Sequence, residues 1–118
     1  MAYRFENLEV WQLARKFVNK LYKLTKNFPR EEVFGLTSQL RRAVLSIFLN
    51  ITEGSDRKSD VEFIRFLRIA YTSMEEVLAC CFIALDQKYI TQEEFDDIYS
   101  DSNLLGKKLN ALIKSLIK

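Results

Sequence analysis

Histidine is absent from the 118-residue sequence, and proline occurs once, glycine three times and cysteine twice. The missing histidines remove the usual general base, the commonest transition-metal ligand and every nucleophilic triad that contains histidine. All-β sandwiches and barrels need a turn signal roughly every 8 to 12 residues. Because glycine and proline are so scarce, the sequence nearly excludes an all-β fold.

The two cysteines, Cys80 and Cys81, are adjacent. Neighbouring cysteines form neither an ordinary disulfide nor a Cys-x-x-Cys metal clamp, so we expect both to be small apolar core residues in a reducing cytosol. The sequence also has no Walker A lysine loop and no GxGxxG fingerprint. We therefore predict no enzymatic activity, no metal, no cofactor and no small-molecule substrate.

Length and composition favour one folded domain over residues 1–118, since 48% of the residues are hydrophobic and 29% are charged, close to globular averages. Residues 1–9 lack the basic and then apolar layout of a signal peptide, and no uncharged stretch is long enough to span a bilayer. We expect a cytoplasmic protein that does not enter a membrane.

Apolar residues recur at helical spacing in two segments before the first polar loop. The first segment predicts a helix from about Leu8 to Asn27, with Asn7 as its N-cap and Pro29 ending it. The second predicts a helix that starts near residue 35 or 37 and closes at Gly54, a C′ glycine.

Two capping boxes mark the starts of two further helices. Ser59 with Glu62 begins a third helix that would extend to Tyr89, and Thr91 with Glu94 begins a fourth. The polar run at residues 101–103 could bend or interrupt the fourth helix. Four amphipathic helices joined by short connections predict an all-α fold, an antiparallel up-and-down four-helix bundle.

The third predicted helix carries more apolar surface than a bundle core requires. Its two contiguous apolar stripes cover more than half of the circumference, whereas a core needs a stripe of roughly 100° or a little more. One interpretation is that this long helix is well buried within its own monomer. The other is that the second stripe packs against another subunit, together with an aromatic residue of the first helix. This second interpretation predicts an oligomer interface of Phe63, Phe66, Val77 and Trp11.

Charge is unevenly distributed, since residues 1–68 carry +5 and residues 69–118 carry −3. Two groups of basic residues are candidates for binding nucleic acid, because cations that repeat around an oligomer attract phosphate backbones. The alternative for each group is a solvated surface. The predicted nucleic-acid-binding residues are Arg57 and Lys58 in the loop before the third helix, with Arg65 and Arg68 on its first turns. The second group, along the first helix, is Arg15, Lys16, Lys20, Lys23 and Lys26.

Polar residues of the second and third helices predict cross-helix pairs. If the two helices form a hairpin around residue 57, Arg42 lies opposite Glu75 or Glu76, and Glu53 lies opposite Arg65. Removing one partner of such a pair, if buried, would cost roughly 3 to 5 kcal/mol. Glu75 and Glu76 diverge by about 100° on a helix, so they cannot act jointly on one substrate. The predicted structural network is Arg42, Asn50, Glu53, Glu75 and Glu76.

Five short patterns follow one another along nearly the whole chain. They are Phe5-x-x-Leu8-x-Val10-Trp11; Phe28-Pro29-x-x-Glu32-x-x-Gly35-Leu36-Thr37-x-Gln39-Leu40-x-Arg42-Ala43; Ser46-Ile47 with Asn50-Ile51-x-Glu53-Gly54; Glu62-Phe63-x-x-Phe66-Leu67-x-x-Ala70; and Ser73-x-x-Glu76. In these patterns the chain resembles the four-helix-bundle family of 23S ribosomal RNA intervening-sequence proteins.

This resemblance implies a left-handed up-and-down bundle that assembles into a ring of five subunits and has no known enzymatic activity. The chain is also similar to the accessory protein of diversity-generating retroelements, a basic five-membered ring that works with a reverse transcriptase and its template RNA. The leading hypothesis is therefore a non-catalytic homo-oligomer, a pentamer by resemblance, that associates with structured RNA or another nucleic acid. The rival hypothesis is a protein-interaction scaffold that presents the basic first helix or the acidic fourth helix to a protein partner.

Overall fold

The computed structural model describes residues 3–117, and four α-helices account for most of them. They are α1 (Glu9–Thr25), α2 (Leu36–Ser55), α3 (Asp60–Asp86) and α4 (Gln92–Leu116). Short 3₁₀ turns at Arg4–Asn7 and Arg30–Glu32 precede α1 and α2. No strand occurs among the described residues. The predicted all-α four-helix fold is confirmed.

Each helix packs against two others, in an order that follows the chain. α2 packs on α1 and α3, and α4 packs on α3 and α1, so α1 and α3 lie diagonally across the bundle, as do α2 and α4. One buried cluster runs between the four helices, with side chains such as Leu21, Ile47, Leu67 and Leu109 fully excluded from solvent. The bundle measures 45 × 23 × 22 Å.

Two of the four helix starts, those of α3 and α4, follow the predicted capping chemistry, and the start of α1 departs from its prediction. The Ser59 hydroxyl accepts the backbone N–H of Glu62 at 3.2 Å, which starts α3. The Thr91 hydroxyl accepts the backbone N–H of Glu94 at 3.0 Å, and the Glu94 carboxylate accepts the backbone N–H of Thr91 at 2.9 Å. The prediction of Asn7 as N-cap of α1 is wrong, because Asn7 belongs to the preceding 3₁₀ turn and Leu8 takes the cap position without a side-chain bond.

Gly54 does not end α2 as a C′ glycine. The helix continues to Ser55, and Gly54 is buried inside it, where an added Cβ would lie 2.7 Å from the Cβ of Phe66. The glycine therefore serves close approach of α2 and α3 rather than a left-handed turn. The polar run at residues 101–103 does not interrupt α4 either, because Ser102 is fully buried on the core side of a continuous helix.

The predicted oligomer-interface residues lie largely inside the monomer. Phe63 and Val77 have no solvent exposure, so their assignment to an intersubunit surface is wrong, although α3 exposes other apolar side chains, among them Phe82 and Ile83. Phe66 is half-buried. Trp11 is also half-buried, and its indole Nε1–H donates to the Thr52 hydroxyl at 2.8 Å.

The two cysteines occupy apolar surroundings, as predicted. Cys81 is fully buried, and burial raises the pKa of its thiol to about 12. Cys80 is half-buried, and burial also raises the pKa of its thiol, with a smaller contribution from Glu76. Neither thiol is therefore primed as a thiolate nucleophile.

Candidate nucleic-acid interface

The structure brings Arg57, Lys58, Arg65 and Arg68 to the end of the bundle where α2 passes into α3. Two of the four are engaged by carboxylates one helical turn away. Arg57 Nη2 lies 2.8 Å from Glu53 Oε1, and Arg65 Nε lies 3.5 Å from Glu62 Oε2. Lys58 and Arg68 form no ion pair with any described residue.

Aromatic rings hold three guanidinium groups at this same end. The Cζ atoms of Arg57 and Arg65 each lie 5.0 Å from the centre of the Phe66 ring. Arg4 reaches over Phe63, with its Cζ 4.8 Å from that ring centre. Sequence reasoning missed Arg4 because nothing local to residue 4 signals that its side chain reaches Phe63 of α3.

Local acids reduce the electrostatic potential of this end. Residues 53–68 contain four basic side chains and four acidic ones, so the predicted cluster lies in a segment of zero net charge. A surface that attracts phosphates needs an excess of cations that carboxylates leave unpaired. We call this end of the bundle, at residues 57–68, the loop end. It brings the four predicted residues together, but its segment has no excess of positive charge.

The predicted polar network between α2 and α3 does not form as charge pairs. Arg42 is exposed and makes no ion pair within residues 3–117, and Glu75 and Glu76 are likewise exposed. Glu53 pairs with Arg57 in the loop that follows α2 instead of across to Arg65. The predicted cross-helix pairing of Arg42 with Glu75 or Glu76 is wrong, because all three side chains are exposed at the edges of the contact between α2 and α3.

A smaller, uncharged network connects α2 and α3 in its place. The hydroxyls of Ser46 and Ser73 lie 2.8 Å apart. The Asn50 side-chain amide donates to the Ser46 carbonyl at 2.8 Å and to the Ser46 hydroxyl at 3.1 Å. Asn50, a predicted member of the network, therefore takes part in this uncharged network through its bonds to Ser46 within α2.

A stronger basic surface lies on the outer side of α1. We call it the basic face, and it consists of Arg15, Val18, Asn19, Tyr22, Lys23 and Lys26. Within residues 3–117, Arg15, Lys23 and Lys26 have no carboxylate partner. Helix α1 has no acidic residue after Glu9, which pairs with Lys108 at 3.2 Å. The cations of this face are therefore free to meet an anionic partner.

Aromatic side chains lie between these cations. The Tyr22 ring helps to line a shallow depression of about 440 Å³ with Val18, Asn19, Lys23 and Lys26. Arg41 of α2 fixes that ring, because its Cζ lies 4.7 Å from the ring centre while its Nε donates to the Thr25 hydroxyl at 2.8 Å. The Cζ atom of Arg15 lies 5.8 Å from the centre of the Trp11 ring. The basic face thus combines exposed lysines with the ring of Tyr22, which Arg41 contacts from α2.

The two remaining residues of the basic series, Lys16 and Lys20, lie on the side of α1 that faces α4, where they line one groove. Lys20 turns toward α4 and bonds to Asp97 at 2.8 Å and to Asp101. The hydrogen bond to Asp101, and then that to Asp97, raises the pKa of Lys20. Lys20 therefore belongs to the contact between α1 and α4 rather than to the basic face.

The matched family model covers residues 6–111 and describes the 23S rRNA-intervening sequence protein. The chain belongs to this family. A crystal structure at 1.70 Å of a protein of unknown function from the S23 ribosomal protein family of Bacteroides thetaiotaomicron is similar, with 29% sequence identity and a TM-score of 0.79. The match covers 89% of this chain and 98% of that one. No curated protein matches the sequence.

Both candidate surfaces lie within the residues that the family model matches. The basic face and the loop end at residues 57–68 are each inside residues 6–111, whereas Arg4 precedes them. Within residues 3–117, no three histidine, cysteine, aspartate or glutamate residues cluster as metal ligands would. No helix of that stretch is long and apolar enough to cross a membrane.

Proposed function

We propose that this protein is a non-catalytic, self-associating protein that binds structured RNA through its basic face. One observation supports this proposal above others: Arg15, Lys23 and Lys26 lie on one helix side, around the ring of Tyr22, without a carboxylate partner among residues 3–117. Lysine and arginine supply the phosphate contacts that dominate affinity for nucleic acids, and an aromatic ring offers a surface on which an unpaired base can stack.

The description of the family supports RNA as the polyanion. A 23S rRNA-intervening sequence is itself an RNA segment, and the family is described by it. Basic side chains without a base-reading element give affinity through phosphates and little sequence discrimination. We therefore propose recognition of RNA shape and charge rather than of one sequence.

The absence of catalysis is part of the same proposal. Histidine does not occur in the chain, and the two cysteine thiols have pKa values raised by burial. The carboxylates of Glu75 and Glu76 diverge on the surface of α3. Assembly into a ring of five subunits is proposed from the family resemblance.

RNA binding through the basic face can be tested with two matched double variants. Lys23→Gln with Lys26→Gln removes two positive charges from the basic face, and Lys58→Gln with Arg68→Gln removes two from the loop end. We expect the first variant to bind a structured RNA about tenfold more weakly at low salt and to reduce the salt slope by roughly 0.7 to 0.9 per lost contact. The second variant should remain close to the parent protein. Fluorescence anisotropy across a salt series measures both quantities.

Two results would overturn the assignment. Equal losses in both variants would mean that net charge, and not the basic face, determines binding. A parent protein that binds no structured RNA even at low salt would leave the scaffold function in its place. One observation favours that second candidate, because the Phe34 side chain is 95% exposed at the tip of the α1–α2 connection, beside the half-exposed Val33.

A further inference from the structure

Two aromatic side chains of α1 lie beside the cations of the basic face, and their rings have different surroundings. The Trp11 ring is flanked by Phe5 and Phe48, whose ring centres lie 5.0 Å and 4.9 Å from its own. The Tyr22 ring has no such aromatic neighbour within residues 3–117, and it lines the depression of about 440 Å³ on the basic face. Tyr22 is therefore the ring that can accept a further stacking partner.

Arg41 holds the Tyr22 ring from the α2 side. Its Cζ atom lies 4.7 Å from the ring centre, its Nε donates to the Thr25 hydroxyl at 2.8 Å, and its Nη2 donates to the Tyr22 carbonyl at 3.4 Å. Arg41 is not among the residues that line the depression, so the depression side of the ring stays open. A ring that is already fixed loses little side-chain entropy when a ligand stacks on it.

Cations lie on both sides of this ring along the helix axis. Lys26 comes four residues after Tyr22, about 6 Å along the axis, and Arg15 comes seven residues before it, about 10.5 Å along the axis. Neither of these cations, nor Lys23, forms an ion pair with any described residue. A nucleic-acid strand that runs along α1 would therefore place phosphates near cations both before and after Tyr22.

The charges around Lys23 decide on which side of it a phosphate can lie. Lys23 borders a groove of about 210 Å³ that Glu94 and Asp97 of α4 help to line, and those carboxylates repel phosphate. The depression on the Tyr22 side is lined by no acidic residue among those described. The carboxyl end of α1 contributes roughly half a negative charge, which Lys23 and Lys26 together outweigh. A phosphate at Lys23 therefore lies on the Tyr22 side.

The depression also has the size and lining for one nucleotide. Its volume of about 440 Å³ lies within the roughly 300 to 1,000 Å³ that is usual for small-ligand sites. Val18 adds an apolar wall beside the Tyr22 ring. Bases inside an A-form helix are paired and stacked on one another, and its major groove is too narrow for side chains to read. A ring on the side of a protein helix can therefore stack on a base only where that base is unpaired.

From these observations we infer that the depression is a subsite for one unpaired nucleotide of an RNA. Its base stacks on Tyr22, and the phosphates on either side of it contact Lys23, Lys26 and Arg15. Arg41 is a positioning residue, because it orients the ring without lining the depression. Every base has a flat π surface, so the subsite selects the unpaired state and not the identity of the base.

This inference rests on the proposed function and narrows its class of RNA. A helix interrupted by a bulge, an internal loop or a single-stranded end supplies both the phosphates and a free base. A continuous duplex supplies only the phosphates. We therefore expect duplexes with unpaired nucleotides to be the preferred partners.

The inference is tested with two RNAs that differ in one nucleotide. One is a blunt-ended duplex, and the other is the same duplex with a single bulged adenosine at its middle, so the ends are identical. Loss of one base–aromatic contact costs about tenfold in affinity or more. We expect the parent protein to bind the bulged duplex about tenfold more tightly in fluorescence anisotropy at low salt.

Four variants separate stacking from charge. Tyr22→Leu should bind both RNAs with the affinity of the parent protein for the plain duplex, whereas Tyr22→Phe should keep the tenfold preference. Lys23→Gln with Lys26→Gln should weaken binding of both RNAs. Tyr99→Leu is the matched control, because it removes a tyrosine that is 43% exposed on α4, away from the basic face.

A fluorescent base reports the stacking directly. When 2-aminopurine replaces the bulged adenosine, stacking on an aromatic ring quenches its fluorescence. We expect quenching by the parent protein and by Tyr22→Phe, and none by Tyr22→Leu. A side chain that only maintains the fold would not give this pattern.

The possible failures of the inference and of the proposed function differ. If the parent protein binds both RNAs equally, or if Tyr22→Leu keeps the preference for the bulge, the subsite is wrong and RNA binding through the basic face stands. If Tyr22→Leu weakens binding of both RNAs equally, the ring maintains the surface and does not stack on a base, which also overturns the subsite. If the parent protein binds neither RNA at low salt, the proposed function fails and the subsite fails with it.

Discussion

We call the line of contact between two neighbouring helices a seam. The seam between α2 and α3 is close and uncharged, whereas the seam between α1 and α4 contains charged side chains. At the first, Gly54 brings the α2 backbone against Phe63 and Phe66, and the hydroxyls of Ser46 and Ser73 meet at 2.8 Å. At the second, charged side chains join the helices, with Lys20 bonded to Asp97 and Asp101. Grooves of about 230 Å³ and 210 Å³ remain beside Lys20.

This difference indicates where the bundle is rigid and where it can adapt. Small residues let backbones approach closely. At the α2–α3 seam an added atom therefore overlaps its neighbours, and a removed atom leaves a void. Long charged side chains tolerate small shifts of the helices that they connect, because each ion pair contributes little and is partly hydrated. The hairpin of α2 and α3 therefore forms the rigid half of the molecule.

The largest effect is expected from adding one methyl group at the close seam. In Gly54→Ala the new Cβ would lie 2.7 Å from the Cβ of Phe66 and 3.0 Å from its nearest Phe63 atom, neither of them the far end of a flexible side chain. We expect the free energy of unfolding to fall by about 1 to 3 kcal/mol through overpacking, which outweighs a helix-propensity gain of up to about 1 kcal/mol. Urea denaturation measures the change.

Gly106→Ala is the matched control on α4. Its new Cβ would meet the terminal Cε of Met74 at 3.1 Å, and a methionine end can move aside. The helix-propensity gain should then dominate, leaving stability unchanged or raised by up to about 1 kcal/mol. An equal loss in both glycine variants would show that the α2–α3 seam is not distinctive.

The sequence predicted the helices well because helix formation depends on nearby residues. Apolar periodicity located all four helices, and Pro29 and the pairs Ser59–Glu62 and Thr91–Glu94 set their limits to within a few residues. The role of Gly54 was missed, since a glycine near a helix end fits both a left-handed cap and a close approach. Only the position of Phe66 on the neighbouring helix distinguishes the two.

The candidate sites were less predictable because long polar side chains have several partners in reach. Glu53 pairs with Arg57, four residues later in the loop after α2, and not with Arg65 across the seam. Phe63 and Val77, which the sequence placed at an interface, are fully buried, because the width of an apolar surface on a helix does not show how much of it the same bundle covers. The basic series of α1 was visible in the sequence, but that Lys20 would leave it for α4 was not.

A smaller effect is expected at the charged seam. Lys20→Met keeps most of the apolar stem and removes the bonds to Asp97 and Asp101. Because the Lys20 side chain is 37% exposed, we expect the loss to stay within about 1 kcal/mol at neutral pH and low salt.

The dependence on pH and salt identifies this contribution as electrostatic. The pKa of Lys20 is raised in the folded state above its ordinary 10.5, so its contribution is complete below that pH and disappears as pH rises through the folded value. The difference between parent and variant should therefore shrink well above pH 10.5, and also in molar salt. A difference that persists under both conditions would mean that packing of the lysine stem, and not charge, joins α1 to α4.

The smallest effect is expected at Arg42, which the sequence placed in a stabilising cross-helix pair. Its side chain is exposed and has no ion pair with any residue that the structure describes, so Arg42→Ala should change the free energy of unfolding by no more than about 0.5 kcal/mol. Arg41→Ala is the control one residue away. It removes the bond to Thr25 and the contact with Tyr22, so it should cost about 1 to 2 kcal/mol. If urea denaturation instead found the larger loss in Arg42→Ala, the solvent-facing edge of the α2–α3 seam would hold a charge pair after all, and the contrast between an uncharged rigid seam and a charged adaptable one would fail.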